Sequence, residues 1–262
     1  MSDAPVLLDI QGGIATITLN RPGVGNTIDM TMAQALRAAS IRCDRDMGIR
    51  CVVLTGAGKL FCGGGDLSVF AEMGQGIPAF LSELAGTLHT AISRLLRMPK
   101  PLLVLVNGPA AGAGLSLALI GDVVLASEHA HFTAAYASVG LSPDGGMSWL
   151  LPRLIGLRRA QEVILSNRRV SAQEAAAIGL VTRAVPEAHL AEEGRRQAQS
   201  LAASPTSAIA AARALLLESF DTGLEVHLDR EARSIALSGG TQDCREGVAA
   251  FAARRLPHFT GA

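Results

Sequence analysis

The sequence predicts a layered α/β fold that is followed by a helical C-terminal region. Short Val- and Leu-rich runs alternate with helix-like segments through about residue 185, which is the pattern of strands covered by helices. From Glu187 onwards every periodic segment is helical. A chain of 262 residues can bury an ample core, as one large domain or as a domain with an appendage. We predict an α/β core at 1–200 that carries the functional site, and a helical subdomain at 201–262.

The N-terminal part is predicted to form a hairpin, a helix and a buried strand. Val6–Ile10 and Ile14–Leu19 alternate apolar and polar side chains on either side of Gly12-Gly13, which is a good hairpin signal. A moderately amphipathic helix is predicted from about Asp29 to Cys43. The apolar run Cys51–Leu54 then predicts a strand.

The middle of the chain alternates helices and strands. Ala71–Pro78 contains two glycines and a proline, and we expect a loop there. Apolar residues recur at helical spacing between Ala79 and Arg97, and Pro99 and Pro101 stop that helix. The next predicted elements are a buried strand at Leu102–Val106, an all-apolar core helix at Leu115–Ile120 and a strand at Val123–Ala126.

The last part of the chain is predicted to be almost entirely helical. Ser171-Ala-Gln-Glu174 is a capping box that opens a short helix, and Gly179 ends it. Four further helices are predicted, at Glu187–Ala203, Pro205–Phe220, Leu224–Leu237 and Arg245–Arg255.

Composition and charge narrow the class of protein. Hydrophobic residues make up 49% and charged residues 18%, while Lys+Arg and Asp+Glu both total 23. A net charge of zero argues against binding to nucleic acid or to a membrane surface, which relies on a strong basic field. The four cysteines show no CxxC spacing, and the N-terminus lacks a basic region followed by an apolar one. We expect a cytoplasmic protein without disulfides, signal peptide or membrane span.

Two glycine-rich turns follow two of the predicted strands. Phe61-Cys-Gly-Gly-Gly-Asp66 comes after the strand at Cys51–Leu54, and Gly112-Ala-Gly114 comes after the strand at Leu102–Val106. Turns without bulky side chains leave backbone N–H groups uncovered, and a helix N-terminus adds the positive end of its dipole. Two such turns facing each other can hold one developing negative oxygen between two amides, as an oxyanion hole. The alternative is that the glycines only permit tight turns.

Ordered motifs along nearly the whole chain resemble those of one known family. They are Ile17-Thr-Leu-Asn-Arg-Pro22 with Asn26, Phe61 to Asp66, Lys100-Pro101 through Val106-Asn-Gly108, Gly112-Ala-Gly114, Arg153-Leu-Ile-Gly156, Ser171-Ala-Gln-Glu-Ala and Gly179-Leu-Val. On these motifs the chain resembles the enoyl-CoA hydratase/isomerase (crotonase) superfamily. The resemblance implies a core of repeated ββα units, with the helices of 201–262 as a trimerisation region. It also implies a homotrimer or a hexamer (a dimer of trimers) that acts on an acyl-CoA thioester.

The resemblance also assigns the site residues. It places the oxyanion-hole amides on Gly65 and Ala113, where they would hold a thioester carbonyl, and losing one such amide typically costs about 3 kcal/mol of transition-state stabilisation. Asp66 is expected to be a buried carboxylate that stabilises the first turn. We expect no cofactor beyond the CoA of the substrate, and no metal. Further residues expected at the substrate are Gly63, Gly64, Asp66, Gly112, Ser116, Tyr136 and Leu141.

Two positions depart from the pattern of the hydratases in this superfamily, which carry two glutamates that position a water and move its proton. The first glutamate is expected two residues after Gly114, where this chain has Ser116. The second is expected in the loop after His131-Phe132, where this chain has Tyr136. Serine and tyrosine stay protonated near pH 7 and cannot act as carboxylate bases. Hydration by two glutamates is therefore not expected.

A proline-aspartate-glycine turn offers a different base. Gly140-Leu-Ser-Pro-Asp-Gly-Gly146 resembles the isomerase branch, which includes the ring-opening epoxide and enoyl isomerases of phenylacetyl-CoA breakdown. In that branch an aspartate in this turn is the proton shuttle, and the resemblance carries the role to Asp144. One base beside a held enolate suffices to move a proton between the α and γ carbons. The alternative is that Asp144 only caps the helix starting near Gly145.

The sequence thus predicts migration of a double bond in an acyl-CoA, by a Δ3,Δ2-enoyl-CoA isomerase or a related ring-rearranging isomerase. Gly65 and Ala113 would bind the thioester oxygen while Asp144 moves the proton. Alternatives within the superfamily are a hydratase, a hydrolase and a decarboxylase. An alternative of another class is a catalytically silent acyl-CoA-binding protein. A nicotinamide-dependent oxidoreductase is disfavoured, because neither turn completes Gly-x-Gly-x-x-Gly.

Overall fold

The computed structural model describes residues 4–262. Its strands are β1 (Val6–Gln11), β2 (Ile14–Leu19), β3 (Cys51–Gly56), β4 (Leu102–Val106), β5 (Ala110–Ala111), β6 (Val123–Ser127), β7 (His131–Thr133), β8 (Val170–Ser171) and β9 (Arg183–Val185). Its α-helices are α1 (Met30–Arg45), α2 (Leu67–Met73), α3 (Ile77–Arg97), α4 (Ala113–Leu119), α5 (Met147–Ile155), α6 (Leu157–Ser166), α7 (Ala172–Ile178), α8 (Glu187–Ala202), α9 (Thr206–Glu218), α10 (Leu224–Gly239) and α11 (Gln242–Ala252).

The main sheet has six strands in the order β1-β2-β3-β4-β6-β9. β1 and β2 form the antiparallel hairpin predicted around Gly12-Gly13, and every other pair of neighbours in this sheet is parallel. β3 and β4 run side by side, with Thr55 opposite Leu105. Since neighbouring parallel strands end at the same edge, the glycine-rich turns that follow β3 and β4 leave the sheet together. Ligand sites of parallel sheets lie at that edge.

Both faces of the main sheet are covered. On one face Val52 and Leu54 belong to the large core that also contains the buried side chains of α1 and α3. On the other face Cys51 and Val53 pack with Leu190 of α8 in a second, smaller core. Strands that are buried on both faces are apolar throughout rather than alternating. This explains the Val- and Leu-rich runs of the sequence.

The C-terminal helices differ in how much surface they bury. α8 lies close to the sheet, since a methyl group on Gly194 would lie 2.5 Å from the side chain of Leu105. Apolar side chains from α9 onwards are instead largely exposed, namely Leu216, Phe220, Leu224, Ile235, Leu237, Phe251 and Leu256. The helices predicted after Pro186 are present, while the boundary at residue 200 stays a prediction. Within residues 4–262 no single helix has the length and hydropathy of a membrane span, and α8 and α9 reach them only as a pair bent by 101°.

Several parts of the fold differ from the sequence prediction, and α6 and β9, for example, were not predicted. The loop predicted at Ala71–Pro78 is wrong, because α2 continues to Met73, a 3-10 turn covers Gly74–Gly76 and α3 begins at Ile77. The glycines turn the chain between two helices, and Gly74 has a φ of +51°. A small sheet in the order β5-β7-β8 was not predicted. Its strands are two or three residues long, which is too short to show a period.

Candidate active site

The two glycine-rich turns lie against each other. A parallel bridge joins Cys62 to Ala110, and the Ala111 amide donates to the Cys62 carbonyl oxygen at 3.0 Å. A methyl group on Gly114 would lie only 2.2 Å from that oxygen, and one on Gly64 would lie 2.9 Å from the carbonyl oxygen of Ala111. Gly64 also has a φ of +94°, which favours glycine. The absence of side chains is therefore what lets the two turns meet.

Among the amides of these turns that lack a hydrogen-bond acceptor within residues 4–262 are those of Gly65 and Ala113. Ala113 is the first residue of α4, so its N–H has no acceptor inside the helix. The next amide after Gly65, that of Asp66, donates to the Ile28 carbonyl at 3.0 Å. Gly65 and Ala113 thus supply two free donors at neighbouring points of the same cavity wall.

The cavity beside the turns has a volume of about 280 Å³. It is enclosed by the two turns, α2, α3 and the segment between β7 and α5. Most lining side chains are apolar, namely Ile28, Leu67, Phe70, Leu81, Leu84, Ala85, Leu88, Val139 and Leu141. Within the described part of the chain, Asp144 is the only acidic residue of the lining. An apolar cavity with a few polar groups is typical of a site for a small organic ligand.

The two carboxylate oxygens of Asp144 have different surroundings. The Tyr136 hydroxyl donates to Oδ1 at 2.5 Å. No donor in residues 4–262 hydrogen-bonds to Oδ2, which lies 3.9 Å from Nε2 of His89. The Asp144 side chain is 31% exposed. The helix-capping alternative is wrong, because α5 begins at Met147, whose amide donates to the backbone carbonyl oxygen of Asp144, and no side chain caps this helix.

Ser116 and Tyr136, which stand where hydratases carry glutamates, both support Asp144. Ser116 Oγ donates to the Asp144 carbonyl oxygen at 2.9 Å and lies 3.4 Å from the Tyr136 hydroxyl. Burial, and then the charge of Asp144, raise the pKa of Tyr136 well above its ordinary value. Tyr136 therefore stays protonated and donates a hydrogen bond to the carboxylate.

The structure brings most of the predicted site residues together and separates two from them. Ser116 is fully buried and does not line the cavity, and it holds the Asp144 carbonyl, so its contact with substrate stays a prediction. Asp66 is also buried and lies outside the lining. The predicted residues that do line the cavity are Gly63, Gly64, Gly65, Gly112, Ala113, Tyr136, Leu141 and Asp144.

Asp66 belongs to a network beneath the first turn. An Arg21 nitrogen lies 3.1 Å from a carboxylate oxygen of Asp66 and 3.1 Å from one of Asp29. The hydroxyls of Thr27 and Ser68 donate to the same Asp66 carboxylate. Burial disfavours the charge of Asp66, but the hydrogen bonds from Ser68, Thr27 and Arg21 outweigh burial and lower its pKa. Asp66 therefore stabilises the turn, as expected, and its contact with substrate stays a prediction.

Sequence reasoning missed His89. This residue of α3 accepts a hydrogen bond at Nε2 from the Gly145 amide, at 2.9 Å. Its signal was available, because a single imidazole follows Leu88 directly within an otherwise largely apolar helix. A helical period is recognised from the spacing of apolar residues, so it gives no information about a single histidine between them.

Phe70 of α2 was also missed. A methyl group on Gly65 would lie 2.7 Å from the tip of the Phe70 ring, so this ring packs directly against Gly65. Phe70 also packs edge-on against Phe80 of α3, with ring centroids 5.9 Å apart. No period in the short α2 could place this ring over the turn, because the contact depends on how α2 packs.

The site combines two backbone N–H donors, those of Gly65 and Ala113, with the carboxylate of Asp144 as a base. Two free amides stabilise negative charge on an oxygen placed between them, and a carboxylate with one unoccupied oxygen can accept a proton. Within residues 4–262 no three His, Cys, Asp or Glu side chains gather as a metal site. The chemistry that these residues can perform is proton transfer next to a carbonyl group.

Known proteins have similar sequences and a similar fold. Residues 9–262 match the enoyl-CoA hydratase/isomerase family model. The chain is 40% identical over 261 residues to a probable enoyl-CoA hydratase of Rhodobacter capsulatus, covering 100% of both chains. It is 37% identical over 264 residues to the 1,2-epoxyphenylacetyl-CoA isomerase of Escherichia coli, covering 98% of each. The crystal structure of an enoyl-CoA hydratase from Polaromonas sp. JS666 matches with a TM-score of 0.93 at 32% identity, over 97% of this chain and 99% of that one. The predicted resemblance and fold class are confirmed.

Proposed function

This chain belongs to the enoyl-CoA hydratase/isomerase family, which acts on acyl-CoA thioesters, and we propose that its own reaction is the migration of a double bond. The proposed substrate is a 3-enoyl-CoA, and the product is the conjugated 2-enoyl-CoA. One observation carries the proposal: Asp144 is the only acidic residue that lines the cavity within residues 4–262, and it shares that cavity with the free amides of Gly65 and Ala113.

The proposed reaction moves one proton and needs no other reactant. Oδ2 of Asp144 removes a proton from C2 of the substrate, and the electron pair left behind forms a dienolate. The amides of Gly65 and Ala113 hold the enolate oxygen while the negative charge develops there. Asp144 then delivers the proton to C4, which leaves the double bond between C2 and C3 and restores the carboxylate. Tyr136 keeps Oδ1 occupied throughout, so Oδ2 is the oxygen that works.

The same contacts argue against hydration as the main activity. Addition of water needs groups that orient the water as well as a base that moves its proton. At the two positions where the hydratases carry glutamates, the side chains of Ser116 and Tyr136 are engaged with Asp144. Neither residue is a second carboxylate that could hold a water opposite Asp144. Isomerisation is therefore supported, because Ser116 and Tyr136 hold Asp144 instead of positioning a water.

A product analysis tests the proposal. The purified protein is incubated with a 3-enoyl-CoA and, separately, with the matching 2-enoyl-CoA. Absorbance of the conjugated thioester reports migration, and mass spectrometry reports addition of water. We expect conjugation of the 3-enoyl-CoA without a change of mass, and much slower hydration of the 2-enoyl-CoA.

Other products would contradict the proposal in distinct ways. Faster hydration than isomerisation would make the protein a hydratase, and release of free CoA would make it a hydrolase. Loss of carbon dioxide from a carboxylated acyl-CoA would make it a decarboxylase. Tight binding of acyl-CoA without turnover of any of these substrates would make it a silent binding protein.

We further propose that the chain assembles as a trimer, or as a hexamer of two trimers, through its C-terminal helices. Phe220, Ile235 and Phe251 are each more than two-thirds exposed, and such side chains on adjacent helices favour self-association. Light scattering on the purified protein tests the proposal, with Ile235→Asp as a variant that weakens an apolar contact. A monomeric wild-type protein would contradict it.

A cytoplasmic location is likewise proposed, on the neutral net charge and the free cysteines, and cell fractionation tests it.

A further inference from the structure

We propose that His89 is a positioning residue for the base and that it acts only while its imidazole is neutral. The inference rests on the proposed function, because it takes Asp144 as the base. It assigns to His89 the task of fixing the turn that carries Asp144, through the hydrogen bond that Nε2 accepts from the Gly145 amide.

The turn that carries Asp144 is held from two sides. On the inner side Gly145 lies so close to α4 that a methyl group on it would be 2.7 Å from Cβ of Ser116, and its φ is +62°. On the outer side the Gly145 amide donates to Nε2 of His89 at 2.9 Å. The peptide that follows Asp144 is thus fixed between α4 and α3, and the direction of the carboxylate follows from it.

The hydrogen bond to Gly145 requires an unprotonated Nε2. A backbone N–H can only donate, so the nitrogen that faces it must offer a lone pair. Protonation of the imidazole removes that lone pair and places an N–H about 4 Å from Oδ2 of Asp144, given the 3.9 Å between the two atoms. The protonated ring would then release Gly145 and attract the very oxygen that is proposed to accept the substrate proton.

The other charged residues near His89 are paired elsewhere or face solvent, so Asp144 is its charged partner. His89 and Asp44 of α1, together with Arg94 and Arg97 of α3, line a groove of about 540 Å³ on the outer side of α3. Arg94 is paired with Asp44 at 2.5 Å, and Arg97 is exposed to solvent. The cavity on the other side of His89 has mostly apolar walls, which include Trp149 and Leu217. The His89 side chain is 48% exposed.

The test is the pH dependence of kcat and kcat/KM between pH 5 and 9 for four variants beside the wild type. His89→Gln offers an amide oxygen to the Gly145 N–H but does not titrate. His89→Leu offers no acceptor. Asp144→Asn reports on the base itself, and Ser93→Ala is a matched control in the same groove and on the same helix. Circular dichroism and thermal melting confirm that each variant is folded.

We expect the wild type to lose activity at acid pH as the His89 imidazole is protonated. His89→Gln should lack this loss at acid pH. At pH 8 it should remain more active than His89→Leu. His89→Leu is expected to lower kcat by about tenfold at pH 8 with little change in KM, and this difference from the wild type should shrink toward pH 5, where the wild type also loses the hydrogen bond to Gly145. A His89→Gln profile with the wild-type acid limb, or a His89→Leu variant as active as the wild type, would contradict the role of His89. An active Asp144→Asn variant would instead overturn the proposed function, so the two failures are distinguishable.

Discussion

The two sides of the cavity are built in different ways. The oxyanion side consists of backbone, and its donors are the amides of Gly65 and Ala113 at the point where two glycine-rich turns meet. The base side consists of side chains: Asp144 is supported by Tyr136, Ser116 and, through Gly145, by the α3 helix. On the backbone side a methyl group added to Gly64, Gly65 or Gly114 would lie closer than 3.0 Å to a neighbouring atom, whereas the base side depends on a chain of hydrogen bonds.

This difference determines how each side fails. A change on the backbone side alters packing, so stability and activity are lost together. A change on the base side removes a hydrogen bond or a proton acceptor, and activity can be lost while the fold and substrate binding survive. The variants below separate the two kinds of failure.

Removing the base gives the largest expected effect on activity. In Asp144→Asn the side chain keeps its shape but no longer accepts a proton, so we expect kcat for double-bond migration to fall by about 10² to 10⁴. Acyl-CoA affinity and the melting temperature should change little, because Asp144 is partly exposed and lies at the cavity surface. Turnover assays and isothermal titration measure the two quantities. Loss of binding in proportion to kcat would show that Asp144 holds substrate rather than moving a proton.

On the backbone side, Gly114→Ala should damage stability and activity together. The added methyl group would lie 2.2 Å from the Cys62 carbonyl oxygen, so the turns must separate, at a cost of about 3 kcal/mol in the free energy of unfolding. Gly86→Ala in α3 is the control, since nothing lies within 4 Å of its added methyl group. This control should be more stable than the wild type by about 1 kcal/mol. Chemical denaturation measures both, and a stable, active Gly114→Ala variant would refute the close contact.

Tyr136→Phe should cost less than loss of the base. The ring is kept and only the donor to Oδ1 of Asp144 is removed. Hydrogen bonds to charged groups contribute about 1.5 to 3 kcal/mol, so we expect kcat to fall by tenfold to a hundredfold with KM nearly unchanged. Steady-state kinetics at several pH values measure the effect. An unchanged kcat would mean that Asp144 needs no support at Oδ1.

The smallest expected effect is on the network beneath the first turn. Asp66→Asn removes the charge that faces Arg21, and we expect a loss of about 1 to 2 kcal/mol in the free energy of unfolding at pH 7. Because the pKa of Asp66 is lowered in the folded state, its contribution is complete above the carboxyl pKa of the unfolded chain and is lost as pH falls through the folded value. The gap between wild type and variant should therefore narrow below about pH 4. A gap that is constant with pH would contradict the ion pair.

The same contrast explains which parts could be predicted from the sequence. The free amides follow from local backbone geometry, and glycines such as Gly64 and Gly114 mark that geometry directly. The partners of Asp144 come from three separate segments, and the contact of His89 with Gly145 spans 56 residues. Such contacts depend on how helices pack, which periodicity does not encode. The resemblance places Asp66 and Ser116 at the substrate, whereas a sequence motif does not show that both side chains are buried outside the cavity lining.

The central claim is that one carboxylate faces a carbonyl group held by two backbone amides. A crystal structure of the Asp144→Asn variant with a bound 3-enoyl-CoA tests it most directly, because slow turnover preserves the substrate. We predict the thioester oxygen at about 2.7–3.1 Å from both the Gly65 and the Ala113 nitrogens. We also predict C2 of the acyl chain at about 3–3.5 Å from the side chain at position 144. A thioester oxygen bound away from either amide, or a C2 atom out of reach of that side chain, would contradict the account.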